Sequence, residues 1–162
     1  MKYVIAILTI AVLTVFCLSA QTPNPLNGTW KLNLAKSKFN PPELTPKSGM
    51  SKIQINQDEI KVVTDGIDSQ GRVTHAEYTA KFDGKDYPWK GTIDGKPNPN
   101  QDTVWWKKID DYTYESGGKL KGKPLPTQHT VIARDGKSRT NTTTGTNAQG
   151  QAINNVAVYE KQ

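Results

Sequence analysis

Beyond Pro23 and Pro25 the chain alternates between apolar and polar positions. Trp30, Leu32 and Leu34 fall on one side of a two-residue repeat, with Thr29, Lys31 and Asn33 on the other. Ile53 and Ile55 sit between Lys52, Gln54 and Asn56, and Ala76, Tyr78, Ala80 and Phe82 oppose Val73, His75, Glu77 and Lys81. A repeat of two marks a strand with one buried face. The pattern predicts strands near 28–34, 50–57, 60–65, 72–82, 86–91, 102–109, 112–120, 127–134, 137–146 and 152–160. Turn pairs separate them: Asp58-Glu59, Asp65-Gly66, Gln70-Gly71, Asp83-Gly84, Asp94-Gly95, Asp110-Asp111, Asp135-Gly136 and Gln149-Gly150. Glycine supplies the positive φ that hairpin turns require, and aspartate tolerates it. One helical turn is expected at Leu34–Phe39, stopped by Pro41-Pro42.

A sheet of about ten such strands would leave its edges bare if it stayed open. The expected fold is therefore all-β, a single antiparallel up-and-down β-barrel of about 8–10 strands. A two-sheet sandwich with Greek-key crossings is the alternative. The last strand, Ile153 to Tyr159, is placed to pair with the first and seal the barrel.

The first 20 residues read differently. Lys2 precedes an apolar run from Val4 to Phe16, and small Ser19 and Ala20 lead into polar Gln21-Thr22-Pro23. That order predicts a signal peptide over residues 1–20, and hence a secreted or periplasmic protein with no integral membrane anchor. A lipidated Cys17 is rejected, because the residue before an acylated cysteine is small and here it is Phe16. Removing the segment removes the only cysteine, so the mature domain depends on its core without disulfides. Residues 21–27 are read as a short linker and 28–162 as one domain. The net charge of +6 comes mostly from lysines scattered over turns and alternate strand positions. No aromatic and arginine cluster accompanies them, so nucleic acid is not an expected partner. A monomer is expected.

Gly28-Thr29-Trp30 opens the first strand. Glycine allows a tight entry, and the indole fills space at the barrel base that smaller side chains would leave void. The Gly-x-Trp resembles the signature of lipocalins and the wider calycin group. Asp110-Asp111-Tyr112-Thr113-Tyr114 is similar to the Thr-Asp-Tyr segment lipocalins carry before a later strand, with Asp110 where Thr would stand. GTWKLNLAKSKF, EYTAKFDGKDYP and the terminal NNVAVYEK together resemble exported bacterial proteins of lipocalin-like type. The resemblance implies a ligand-binding barrel whose Trp30 plug, with Gly28, is covered by an arginine: Arg139 first, Arg134 second. Two features depart from it, a count nearer ten strands than eight and no helix before the last strand.

Trp105-Trp106 must split between the two faces, and Trp105 is expected inward because Ile109 continues its face. The strand Lys137–Thr144 has no apolar face. Either Thr140, Thr142 and Thr144 line a polar cavity or the stretch is an exposed ribbon, since buried hydroxyls without partners cost about 1–3 kcal/mol each. Arg139 falls on the face opposite those threonines.

No catalytic motif appears, no metal site is expected, and no cofactor is implied. His75 and Glu77 share a strand face, the one pair that a surface metal could use. The expected function is binding of a small, partly hydrophobic molecule in an interior formed by Trp30, Ile53, Ile55, Tyr78, Phe82, Trp105, Thr140, Thr142 and Thr144. A solid barrel serving envelope structure or protein interaction is the alternative, and a barrel enzyme of unknown reaction the third.

Overall fold

The computed structural model describes residues 23–162. The signal-peptide reading of 1–20, and Cys17 with it, lie outside the described residues. Thirteen strands make one antiparallel sheet. They are β1 (Gly28–Lys38), β2 (Ser48–Asn56), β3 (Glu59–Ile67), β4 (Val73–Lys81), β5 (Tyr87–Pro88), β6 (Lys90–Ile93) and β7 (Lys96–Pro97). After these come β8 (Thr103–Lys108), β9 (Thr113–Leu120), β10 (Lys123–Pro124), β11 (Thr127–Ile132), β12 (Ser138–Thr146) and β13 (Ala152–Lys161). Among the described residues there is no α-helix, and hence none long and apolar enough to cross a membrane.

The long strands follow one another in space as in a meander rather than a Greek-key sandwich, β1 to β4 on one side and β8, β9, β11, β12 and β13 on the other, while short β5 pairs with β8 and so lies apart from β4 and β6 in the sheet. The sheet order runs β5-β8-β9-β11-β12-β13-β1-β2-β3-β4-β6-β7, with β10 paired to β9. The terminal strands do pair: Trp30 faces Lys161, and Leu32 faces Tyr159 across the β1–β13 ladder. That ladder is interior to the sheet. The margins meet elsewhere, where the sheet curls into a half-barrel and β4 approaches β8. There an Asp83–Lys107 bridge and a hydrogen bond of 2.9 Å from the Gly84 N–H to the Trp106 carbonyl join the two sides.

Local chemistry explains the differences from the pattern-based expectation. The helical turn at Leu34–Phe39 is absent, because β1 continues to Lys38 and only Pro42–Leu44 forms a short 3₁₀ turn. In β1 a bulge between Asn33 and Lys38 breaks the register with β13 and puts Leu34 on the surface. Asp65-Gly66 is strand rather than turn. A Cβ on Gly66 would lie 2.8 Å from the Ser48 carbonyl oxygen, so this glycine serves close approach of β2 and β3.

The core sits at one end of the barrel. Trp30 is fully buried among Ile53, Ile60, Trp106, Tyr114 and Ile132. Residues 24–27, the last part of the segment 21–27 read above as a linker, pack across this end of the core. The Trp30 Nε1–H donates to the Leu26 carbonyl at 2.9 Å, Asn24 Nδ2 donates to the Tyr114 hydroxyl at 2.8 Å, and Leu26 has no exposed surface. Gly28 enters β1 at φ +133°, and a Cβ there would sit 2.6 Å from Lys161 Cε. The positive φ is what calls for glycine, since the flexible end of Lys161 could move aside.

Candidate functional site

The interior changes character along its axis. Above the apolar base the inward positions of successive strands carry Ser51, Thr64, Tyr78, Ser116, Gln128, Thr130, Arg139, Asn141 and Thr143. Cross-strand register places them on one face: Ser51 opposite Thr64, Gln128 opposite both Ser116 and Thr143, Thr130 opposite both Tyr114 and Asn141. Ser51, Ser116, Thr130, Arg139 and Asn141 are all buried.

These residues line open space. One void of about 310 Å³ lies against Ile53, Val62, Tyr78, Trp106, Arg139 and Asn141. A second, of about 400 Å³, shares Thr64, Tyr78 and Gln128 with the first. It runs toward the opposite end, past Ser116 and Thr143 to Asn100, Gln101 and Asn147. Each lies within the range of small-molecule sites.

The sequence expectations fare unevenly here. Trp30, Ile53, Ile55, Tyr78 and Phe82 point inward, but Trp30, Ile55 and Phe82 belong to the packed base while Ile53 and Tyr78 line the first void. Trp105 does not enter. Val104 and Trp106 are the buried pair of β8, and Trp105 lies on the outer face over Gly117, with Lys107 Nζ 5.8 Å from its ring centroid. Ile109, which suggested the other phase, stands beyond the end of β8 in the turn to β9 and is exposed. Thr140, Thr142 and Thr144 are corrected as well. Arg139 and Asn141 are the buried positions of β12, so alternation turns the threonine row outward. A strand polar on both faces has no phase of its own; β13 sets it by pairing Arg139 with Tyr159 and Asn141 with Ala157.

Arg139 is the unusual group. It is 4% exposed. Its guanidinium carbon lies 5.3 Å from the Trp30 ring centroid and 4.5 Å from that of Tyr159, and Nη2 donates to Ser51 Oγ at 2.5 Å. Arg134 instead covers Tyr112, 4.2 Å from its ring centroid. Among the described residues no carboxylate pairs with Arg139, and its buried Nε–H has no acceptor. Burial lowers its pKa to about 10, while the two nearby tyrosines, Tyr159 and Tyr78, raise it. It is therefore a cation at neutral pH. An unpaired buried charge costs several kcal/mol. Two cation–π contacts at roughly 1–2 kcal/mol each offset only part of that. A second cation, Lys161, lies 5.0 Å from the Trp30 centroid, but it is exposed, with its Nζ donating to the Pro25 carbonyl.

A second donor in the same void is also without an acceptor, the Trp106 Nε1–H. It lies close enough to the Tyr78 oxygen to favour ionisation of that hydroxyl, but outside hydrogen-bond geometry. Burial outweighs this and the Arg139 charge, and pushes the Tyr78 pKa up to about 12. The one carboxylate at the cavity rim, Asp65, is turned to His75 at 2.8 Å. The first void thus presents two buried donors without an acceptor.

Sequence reasoning missed Ser51, Ser116, Gln128, Thr130, Asn141 and Trp106. Tyr114 and Ser116 share a phase that the apolar tyrosine could have flagged. Gln128 and Thr130 share the phase of buried Ile132. Elsewhere the surface carries ordinary pairs: His129 lies 3.9 Å from Glu115, and Glu77 is 2.7 Å from Lys61 rather than cooperating with His75. No cluster of three metal-ligating groups occurs among the described residues.

Fold and cavity together define a class: a small all-β half-barrel, its own N-terminal segment packed across one end, with a polar interior around a buried, unpaired cation. Compared with known proteins, the chain matches no protein-family model and no curated protein.

Proposed function

We propose that this is an exported, lipocalin-like carrier that holds a small, partly apolar molecule in its interior without transforming it. The supporting observation is the pair of adjoining voids, walled by apolar side chains on one side and by a band of buried polar groups on the other. A barrel that served only as scaffold would bury apolar residues at those positions, because desolvated polar groups weaken a core. The Gly28-Thr29-Trp30 entry and the Arg139 cover agree with a lipocalin-like reading. The polar band fixes orientation, and the apolar wall contributes affinity.

Native mass spectrometry of protein purified from its own host tests this. The expected spectrum contains, besides the free protein, a species heavier by one small molecule that is lost on collisional activation. A single unliganded mass, together with tryptophan fluorescence unmoved by apolar probes, would overturn the carrier reading.

A further inference from the structure

We infer that the molecule held in the interior is an acid, whose carboxylate sits against Arg139 while its apolar part lies along Ile53, Val62 and Trp106. This rests on the carrier reading and names the ligand class. Three observations carry it. Arg139 is nine-tenths buried and more, lines the void, and keeps an Nε–H without an acceptor. The Trp106 Nε1–H, unsatisfied in the same void, is a second donor on its wall. Among the described residues no carboxylate pairs with Arg139, and Asp65, the carboxylate at the rim, hydrogen-bonds His75 instead.

An acceptor for these two donors is what the void lacks. A neutral ligand oxygen would satisfy a donor but leave the charge uncompensated. A carboxylate satisfies both and matches the planar fork of a guanidinium. The apolar wall beside Arg139 then selects among anions, favouring one with a hydrocarbon body over a bare inorganic ion.

Decanoate and 1-decanol are suitable probes, alike in chain and different in head group. Titration calorimetry on the wild-type protein is expected to show decanoate binding at least tenfold tighter than decanol, equivalent to about 1.4 kcal/mol. The Arg139 Nε–H resonance, assigned by its disappearance in Arg139→Met, should shift with decanoate and stay in place with decanol. In Arg139→Met the ratio of the two affinities should fall to about unity. If decanol binds as tightly as decanoate, or the Arg139 resonance ignores decanoate, the acid inference falls and the carrier reading stands. If neither probe binds, both fall. The wild-type comparison decides the matter even if the variant fails to fold.

Discussion

Two neighbouring tryptophans in β8 have opposite consequences for the fold. Trp106 is buried against Phe82 and Tyr114, with ring centroids 6.4 Å away in each case, whereas Trp105 rests on the outer surface. Removing a buried indole forfeits its contacts and leaves a cavity, so Trp106→Ala should lower unfolding stability by about 3–5 kcal/mol, as should Trp30→Ala. Trp105→Ala should cost less than about 1 kcal/mol. Urea denaturation of the three variants measures this, and equal losses for Trp105 and Trp106 would contradict the placement. Trp30 was legible because it belongs to a strand with clear alternation. The phase of β8 was not, because Ile109 extends the pattern past the point where the strand ends. For Arg139 the sequence supplied its relation to the indole only through a resemblance. Its lack of a counter-ion depends on the residues that line the void with it, from seven other strands, and is visible only once they are assembled.

At the scale of elements, alternation and turn residues gave the strand order nearly intact. They failed where pairing with a neighbour overrides local pattern. The β1 bulge throws Leu34 out, and β12 takes its phase from β13. Pairing also grades the sheet's rigidity. β1 and β13 have ladder partners on both sides along much of their length, whereas the second half of β4 faces β8 across a seam held by few backbone bonds. Amide exchange along β4 and β8 at the seam should outpace exchange in β1 and β13 by about tenfold or more, since local opening breaks fewer contacts there. Hydrogen-exchange mass spectrometry resolves the two regions, and equal protection would show that the seam is closed as firmly as the rest.

For the whole molecule, buried Arg139 and partly buried Tyr78 predict a response to alkali. Tyr78 keeps its proton to about pH 12 when folded but loses it near 10 when unfolded. The stability it contributes is complete below pH 10 and is lost as pH rises toward 12. Arg139 runs the other way. Folded, it releases its proton at about 10; unfolded, only at more alkaline pH. Its burial is a cost at neutral pH that is relieved as pH climbs past 10. The two slopes oppose each other in the wild type. Tyr78→Phe removes one, so between pH 10 and 12 its urea midpoint should rise relative to that of the wild type. A parallel course for the two proteins would place Tyr78 in water.

The two-residue strands at the sheet's margins have a consequence for the company this protein keeps. Trp89, Leu125 and Asn98, the residues that follow Pro88, Pro124 and Pro97, direct their N–H groups back into the sheet, to Asp102, Gly118 and Gly91. Because successive residues point in opposite directions, each proline nitrogen faces solvent. A foreign chain reaching either border finds a ring where it needs a donor. The prolines thus blunt the borders of the half-barrel against strand addition.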